Sequence, residues 1–260
     1  MVEYQLSHRS VHKVRFHHSF LEHSRVANKP EEERSFDIFY QMLAGLSTED
    51  KNDLEMSNLQ AQDFKYLRIR HGQTKKQSEK DFELFKDWRK SIDEIGINVG
   101  DIMKVFSAIL LLGNIELDRA HAGGTEVESV SKLLSIKKEV LMRGLTTRTH
   151  KIKGEILTRN VDKNMFVSSK DSLSTSLYAR TVNIILKKIN CINQSKNLKS
   201  QEILKPASFF ILDSFSLQRS HCGLETLGMN LCTEKLQVCV VFDIIGMVCG
   251  SVELYSVCGW

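Results

Sequence analysis

The chain has 260 residues, 42% of them hydrophobic and 26% charged, with a formal net charge of +4. That length can bury a sizeable core in one large domain or two small ones, and the composition is that of a soluble globular protein. The charge excess is too small for the basic footprint of a nucleic-acid binder, although it suits an acidic partner or a nucleotide.

The excess is unevenly spread. From Cys222 onward, Glu225, Glu234, Asp243 and Glu253 face Lys235 alone, so the net positive charge lies entirely in the preceding segment. Cysteines also collect at this end: Cys222, Cys232, Cys239, Cys249 and Cys258 follow the lone Cys191, with no C-x-x-C pair. A reduced intracellular chain is a simpler reading than a disulfide framework. Met1–Ser10 is polar and alternating, with none of the apolar run of a secretory signal. Pro30 and Pro206 are the only prolines, which favours long helices.

In chain order, Val2–Leu6 and part of Val11–Phe20 alternate apolar and polar residues around His8-Arg9-Ser10, which predicts a β-hairpin. Across Glu31–Leu46 the apolar residues Phe36, Phe39, Tyr40, Leu43 and Leu46 recur at helical spacing, with Glu31–Glu33 in the first turn and Gly45 near the end. Phe82, Phe85, Trp88 and Ile92 repeat that pattern over Phe82–Ile95. Ile102–Leu112 is apolar on nearly every side and predicts a buried helix. Gly123-Gly124 marks a loop, and Val127–Leu134 begins another helix. Thr149–Leu157 alternates, predicting a projecting hairpin. Leu173–Ile192 is the longest helical candidate, with Leu173, Leu177, Val182, Ile185 and Ile189 on one face. The lysine-rich stretch 194–205 reads as a surface linker, Phe209–Leu212 as a short buried strand, and Leu224–Gln237 as helix.

Several stretches together carry a family resemblance. LEHSRV (Leu21–Val26) and, eight positions on, SFDIFY (Ser35–Tyr40) resemble the LEKSRV…ERxFHIFYxLLAG region of the myosin motor domain. Arg34 precedes the second block, and Gln41-Met42-Leu43-Ala44-Gly45-Leu46 follows it. The resemblance continues in order through AILLLGNI (Ala108–Ile115), SLYARTVNIILKKIN (Ser176–Asn190), ILDSFS (Ile211–Ser216) and LETLGMNLCTEKLQ (Leu224–Gln237). It implies an α+β, predominantly α-helical fold. This would be a partial motor of the P-loop NTPase type, with a few strands of the central sheet and the upper, actin-facing helical subdomain. Residues 1–237 would form the motor-like fragment and 238–260 a divergent apolar tail.

In that family ATP and Mg are held by a Gly-rich P-loop, by switch I and by switch II. The 260 residues contain no Gly-x-x-x-x-Gly-Lys-Ser/Thr, and they begin after the position where switch I would lie. Ile211–Gln218 occupies the switch II position. Asp213 matches the family's Asp, Ser216 stands where the family has Gly, and Gln218 where it has Glu. A glycine there lets the loop approach the γ-phosphate closely, and the Glu pairs with the switch I Arg, which neutral Gln cannot do. No catalytic residue is expected intact, and Asp213 reads first as the cap of a strand. The chain alone is expected to bind no cofactor.

Arg143, Arg148, Lys151, Lys153, Arg159 and Lys163 are offset only by Glu155 and Asp162. By position this stretch resembles the family's cardiomyopathy loop, which contacts acidic actin, so Arg148, Lys151 and Lys153 are candidate actin-binding residues. A plain solvated basic face fits the same pattern. His17, His18 and His23 make a poor metal set, because neighbours on a strand point to opposite faces. Val238–Cys258 approaches a membrane span in length, but Asp243 and Glu253 would each cost roughly 2.5–3.5 kcal/mol in a bilayer, so no span is expected.

The sequence therefore reads as a fragment of an actin-based, ATP-dependent motor, catalytically incomplete as it stands. Its partners would be actin filaments rather than nucleic acid, and its place the cytoplasm and cytoskeleton. The alternatives are a non-catalytic binding module for actin or another partner, or a gene remnant.

Overall fold

A computed structural model describes residues 2–7, 10–18, 22–70, 72, 74–117, 124–152, 155–195, 207–211, 224, 227–228, 230–235 and 237–238. The elements in chain order are β1 (Val2–Ser7), β2 (Ser10–Phe16), α1 (Asp37–Gly45), α2 (Thr48–Asp53), α3 (Lys75–Glu94) and α4 (Val99–Asn114). They are followed by α5 (Thr125–Leu133), α6 (Lys138–Thr146), β3 (Thr147–Ile152), β4 (Glu155–Asn160), α7 (Lys163–Ser195) and β5 (Ala207–Ile211). The fold is α+β and mostly helical, as the sequence predicts. Two compact units divide it, one built from residues 1–22 and 186–260, the other from residues 23–185. Of the expected tail, residues 239–260 lie outside the described residues.

In the first unit β1 is the middle strand of an antiparallel sheet ordered β2-β1-β5. Its pairing with β2 runs from Val2↔Phe16 to Ser7↔Ser10, with a shift between Gln5 and Leu6. Alternation places Glu3, Gln5 and Arg15 together, and Glu3 is buried. Its carboxylate is satisfied by Gln5 Nε2 at 2.7 Å and His17 Nε2 at 3.0 Å. The hydrogen bonds from His17 and then Gln5 hold it below the usual carboxylate range. Asn190, near the end of α7, clasps the outer edge of β2. Its Oδ1 accepts from Phe16 N and its Nδ2 donates to Phe16 O, both at 2.8 Å. Asn193 Nδ2 donates to Val14 O at 3.2 Å. Side-chain amides thus satisfy backbone groups that an edge strand leaves open. The short strand predicted at Phe209–Leu212 is present as β5, but at an outer position of the described sheet, where Ile211 is 47% exposed.

The second unit is organised around α4, where Ile102, Met103, Phe106, Ala108, Ile109, Leu110, Leu111 and Leu112 are all buried. Phe39 of α1 meets Phe106 edge to face at 5.4 Å, and Tyr178 of α7 stacks on Phe36 at 4.3 Å. Such pairs add roughly 0.5–1.5 kcal/mol each beyond their buried area.

The predicted helix over Glu31–Leu46 is shorter than its periodicity suggests: α1 starts at Asp37, and Glu31–Glu33 lie in a turn after Pro30. Tertiary bonds claim the intervening backbone. Glu31 O accepts from Arg70 N at 2.9 Å, and Ser35 N donates to the Tyr40 hydroxyl at 3.1 Å. Lys29 Nζ donates to Glu33 O and Arg68 O, both at 2.7 Å. Arg34 Nη2 reaches the buried Asp81 at 2.8 Å, and the guanidinium lies over the Tyr40 ring at 4.3 Å. α3 starts earlier than predicted, at Lys75, because Thr74 and Gln77 form a reciprocal capping box.

Two glycines set the closest approaches. A Cβ on Gly45 would lie 2.7 Å from Phe85 Cγ, and one on Gly113 would lie 2.8 Å from Tyr66 Cδ2. Below Gly113 the end of α4 is closed by Lys170, which is only 1% exposed. Its ammonium donates to Gly113 O at 2.8 Å and Ile115 O at 3.3 Å, and lies 5.8 Å from the Tyr66 ring centre. The Tyr66 hydroxyl donates to Asp171 at 2.6 Å and lies 3.3 Å from Ser174 Oγ.

These contacts give opposite expectations for two glycine substitutions. Gly45→Ala must push Phe85 aside, so it should cost about 1–3 kcal/mol. The helical Gly144 has open space where a Cβ would go, and Gly144→Ala should add about 0.5–1 kcal/mol. Urea denaturation of the two variants beside the parent chain measures both signs.

Candidate functional site

The basic residues between Arg143 and Lys163 form one helix–hairpin–helix stretch within the second unit. α6 passes into β3 without a loop. Thr146 Oγ1 donates to Met142 O at 2.8 Å and Thr147 Oγ1 to Arg143 O at 2.6 Å, satisfying carbonyls that a helix C-terminus leaves open. Asp162 caps α7 on the other side, its Oδ1 accepting from Met165 N at 2.8 Å. Val161 N donates to Thr146 O at 2.9 Å and closes the base. Leu141, Leu145 and Phe166 are buried and root both helices. The base is thus fixed by caps and core contacts.

β3 and β4 pair in register from Thr147↔Asn160 to Ile152↔Glu155, as the alternating pattern predicts. Arg148 lies directly opposite Arg159, and both are exposed. Opposed residues in an antiparallel pair share a face with Cβ atoms about 4.5–5.5 Å apart, so the two arginine side chains leave the hairpin on the same face. Arg148 Nη2 reaches Ser169 Oγ of α7 at 3.4 Å. Among the described residues neither arginine meets a carboxylate. Arg143 and Lys163 are exposed at the two ends of the stretch. Lys151 sits in β3 opposite Ile156, while Lys153 is outside the described residues. Arg159 becomes a site residue only through the register, which the charge run alone does not reveal.

The second candidate group is not brought into view. Asp213, Ser216 and Gln218 all lie outside the described residues, just past the end of β5 at Ile211. His17 is engaged with Glu3. Among the described residues no group of three His, Cys, Asp or Glu side chains is placed to hold a metal ion. No helix among them is long and apolar enough to cross a membrane.

Comparison with known proteins gives a consistent answer. The family described as myosin head (motor domain) matches residues 2–246. The chain is 28% identical over 228 residues to unconventional myosin-Ic of Mus musculus, covering 84% of this chain and 21% of that protein. It is also 28% identical over 232 residues to unconventional myosin-Ib of Homo sapiens, covering 84% of this chain and 20% of that protein. Unconventional myosin-IXb of Rattus norvegicus matches at 28% over 232 residues, 84% of this chain and 11% of that protein. The chain therefore spans about a fifth or less of the length of these curated relatives.

The like-charged pair across β3 and β4 has a measurable consequence. Arg159→Glu replaces a repulsive cross-strand pair with an attractive one, and should stabilise the hairpin by about 0.2–1 kcal/mol. Amide exchange of residues 147–160 should slow in that variant, and unchanged or faster exchange would contradict the register.

Proposed function

The chain belongs to the myosin head (motor domain) family, and we propose that it is an actin-facing piece of an unconventional myosin motor that engages filaments without hydrolysing ATP by itself. One observation carries this reading: exposed Arg148 and Arg159 lie opposite each other on one face, with no carboxylate partner among the described residues, on a hairpin rooted in buried side chains. Arginine presents a planar fork of donors that matches carboxylates, so this face suits an acidic protein surface. Lys151 and Lys153 add positive charge to the same stretch of sequence. The capped and buried base fixes where Arg148 and Arg159 leave the strands, which lowers the ordering cost of contact. Association with the actin cytoskeleton of the cytoplasm follows from the same reading.

The residues present do not fit ATP and Mg. No Gly-x-x-x-x-Gly-Lys-Ser/Thr exists to cradle phosphates, and the segment after β5 carries Ser216 and Gln218 in place of glycine and glutamate. Phosphoryl transfer depends almost entirely on positioned charges, and this chain lacks the set.

Two measurements test the reading. Phosphate release by the purified chain with Mg-ATP should equal the buffer blank, with or without filaments, and actin-stimulated turnover would overturn it. In co-sedimentation, the fraction bound to filaments should fall as salt rises. The double variant Arg148→Glu, Lys151→Glu should weaken binding about tenfold. Unchanged pelleting would return the hairpin to an ordinary solvated face.

A further inference from the structure

Lys170 is a residue of α7 whose charge is driven into the core. Its side chain is 1% exposed, and its ammonium is held by two backbone carbonyls and the face of Tyr66. No carboxylate lies within ion-pair distance among the described residues. Asp171, the nearest candidate in sequence, accepts the Tyr66 hydroxyl instead. The other charged groups facing Lys170 are Lys65, beside Tyr66, and Glu116, just past the end of α4. Three groups of opposing effect therefore surround a lone buried cation.

Carbonyl dipoles compensate a buried ammonium only in part, and an unpaired charge in the interior favours either loss of its proton or escape to water. The long lysine stem permits escape, because the head can move while the chain stays packed. That movement would open both carbonyls of the last turn of α4. We propose that Lys170 is a proton-linked latch on the C-terminal end of α4. Uncharged, it stays seated on Gly113 and Ile115, and proton uptake biases it outward and loosens residues 112–117.

The direction follows from linkage. Burial, reinforced by Lys65, pushes the Lys170 ammonium down to about 8 from the ordinary 10.5. The seated state therefore binds fewer protons than the open state between those values, and it gains stability as pH rises through that window. Below about pH 8 both states carry the proton and the bias toward opening is fully expressed. Asp171 and Glu116 oppose this effect, since each favours the charged form.

The experiment is amide exchange of residues 112–117 in the full 260-residue chain, corrected for intrinsic rates, at about pH 7 and about pH 9.5, on either side of the lower limit of that window. In the parent chain protection should rise about thirtyfold across that span. Lys170→Met has no proton to exchange and Lys170→Arg keeps its charge throughout, so neither should show the rise. If either variant follows the parent's pH profile, the latch is wrong. The parent chain alone supplies a second readout: with 13C-labelled lysine, one Cε resonance should titrate near pH 8, apart from the others. Titration of every lysine together near 10.5 would overturn the proposal even where a variant does not fold.

Discussion

A helix buried on nearly every side ends in carbonyls that water cannot easily reach, and the second unit is built on the answer α4 gives to that constraint. The run Ala108–Leu112 is buried throughout, so its last turn needs donors from elsewhere in the chain. Lys170 brings them from α7 to Gly113 and Ile115. Asn114 adds a second tie, accepting from Lys65 N at 2.8 Å and donating to Asp63 O at 2.9 Å. Gly113 is small enough for Tyr66 to lie against the helix, and Tyr66 in turn holds Asp171. Remove the lysine and two buried carbonyls lose their donors, at about 1–3 kcal/mol for each unsatisfied group.

Seating α7 on α4 in this way also fixes the start of α7, and hence one foot of the basic hairpin. Phe166 lies four residues before Lys170 and is likewise buried. Asp162 caps the helix one turn earlier. The other foot is α6, anchored by Leu141 and Leu145. Core burial, helix capping and the presentation of Arg148 and Arg159 are thus parts of one chain of dependence. The arginines face solvent above a base closed by Thr146, Thr147 and Asp162.

Much of this arrangement is legible in the sequence, and the rest is hidden for physical reasons. α4 shows because it is apolar all round, and both hairpins show because their residues alternate. The start of α1 is obscured because Glu31–Phe36 keeps helical spacing while its backbone bonds are taken by Tyr40 and Arg70. α7 begins at Lys163 rather than near Leu173 because Asp162 caps it, a signal lost within a run of charged residues. Lys170 is invisible to pattern reading, since a lysine on an amphipathic helix ordinarily faces water. Of the candidate site, Arg148 and the hairpin are read from the charge run. Its pairing with Arg159 requires a register that only the strands supply. The residues Asp213, Ser216 and Gln218 carry their meaning in their identities, because the departures from glycine and glutamate are chemical ones.

The proposed separation is that the hairpin of this chain contacts filaments while its 260 residues hold no Gly-x-x-x-x-Gly-Lys-Ser/Thr for nucleotide chemistry. Co-sedimentation with actin at low salt, with and without Mg-ATP, tests that separation most directly. The account requires equal bound fractions in both conditions, because the 260 residues hold no Gly-x-x-x-x-Gly-Lys-Ser/Thr to bind the nucleotide. Release of the chain from filaments on addition of Mg-ATP would contradict it.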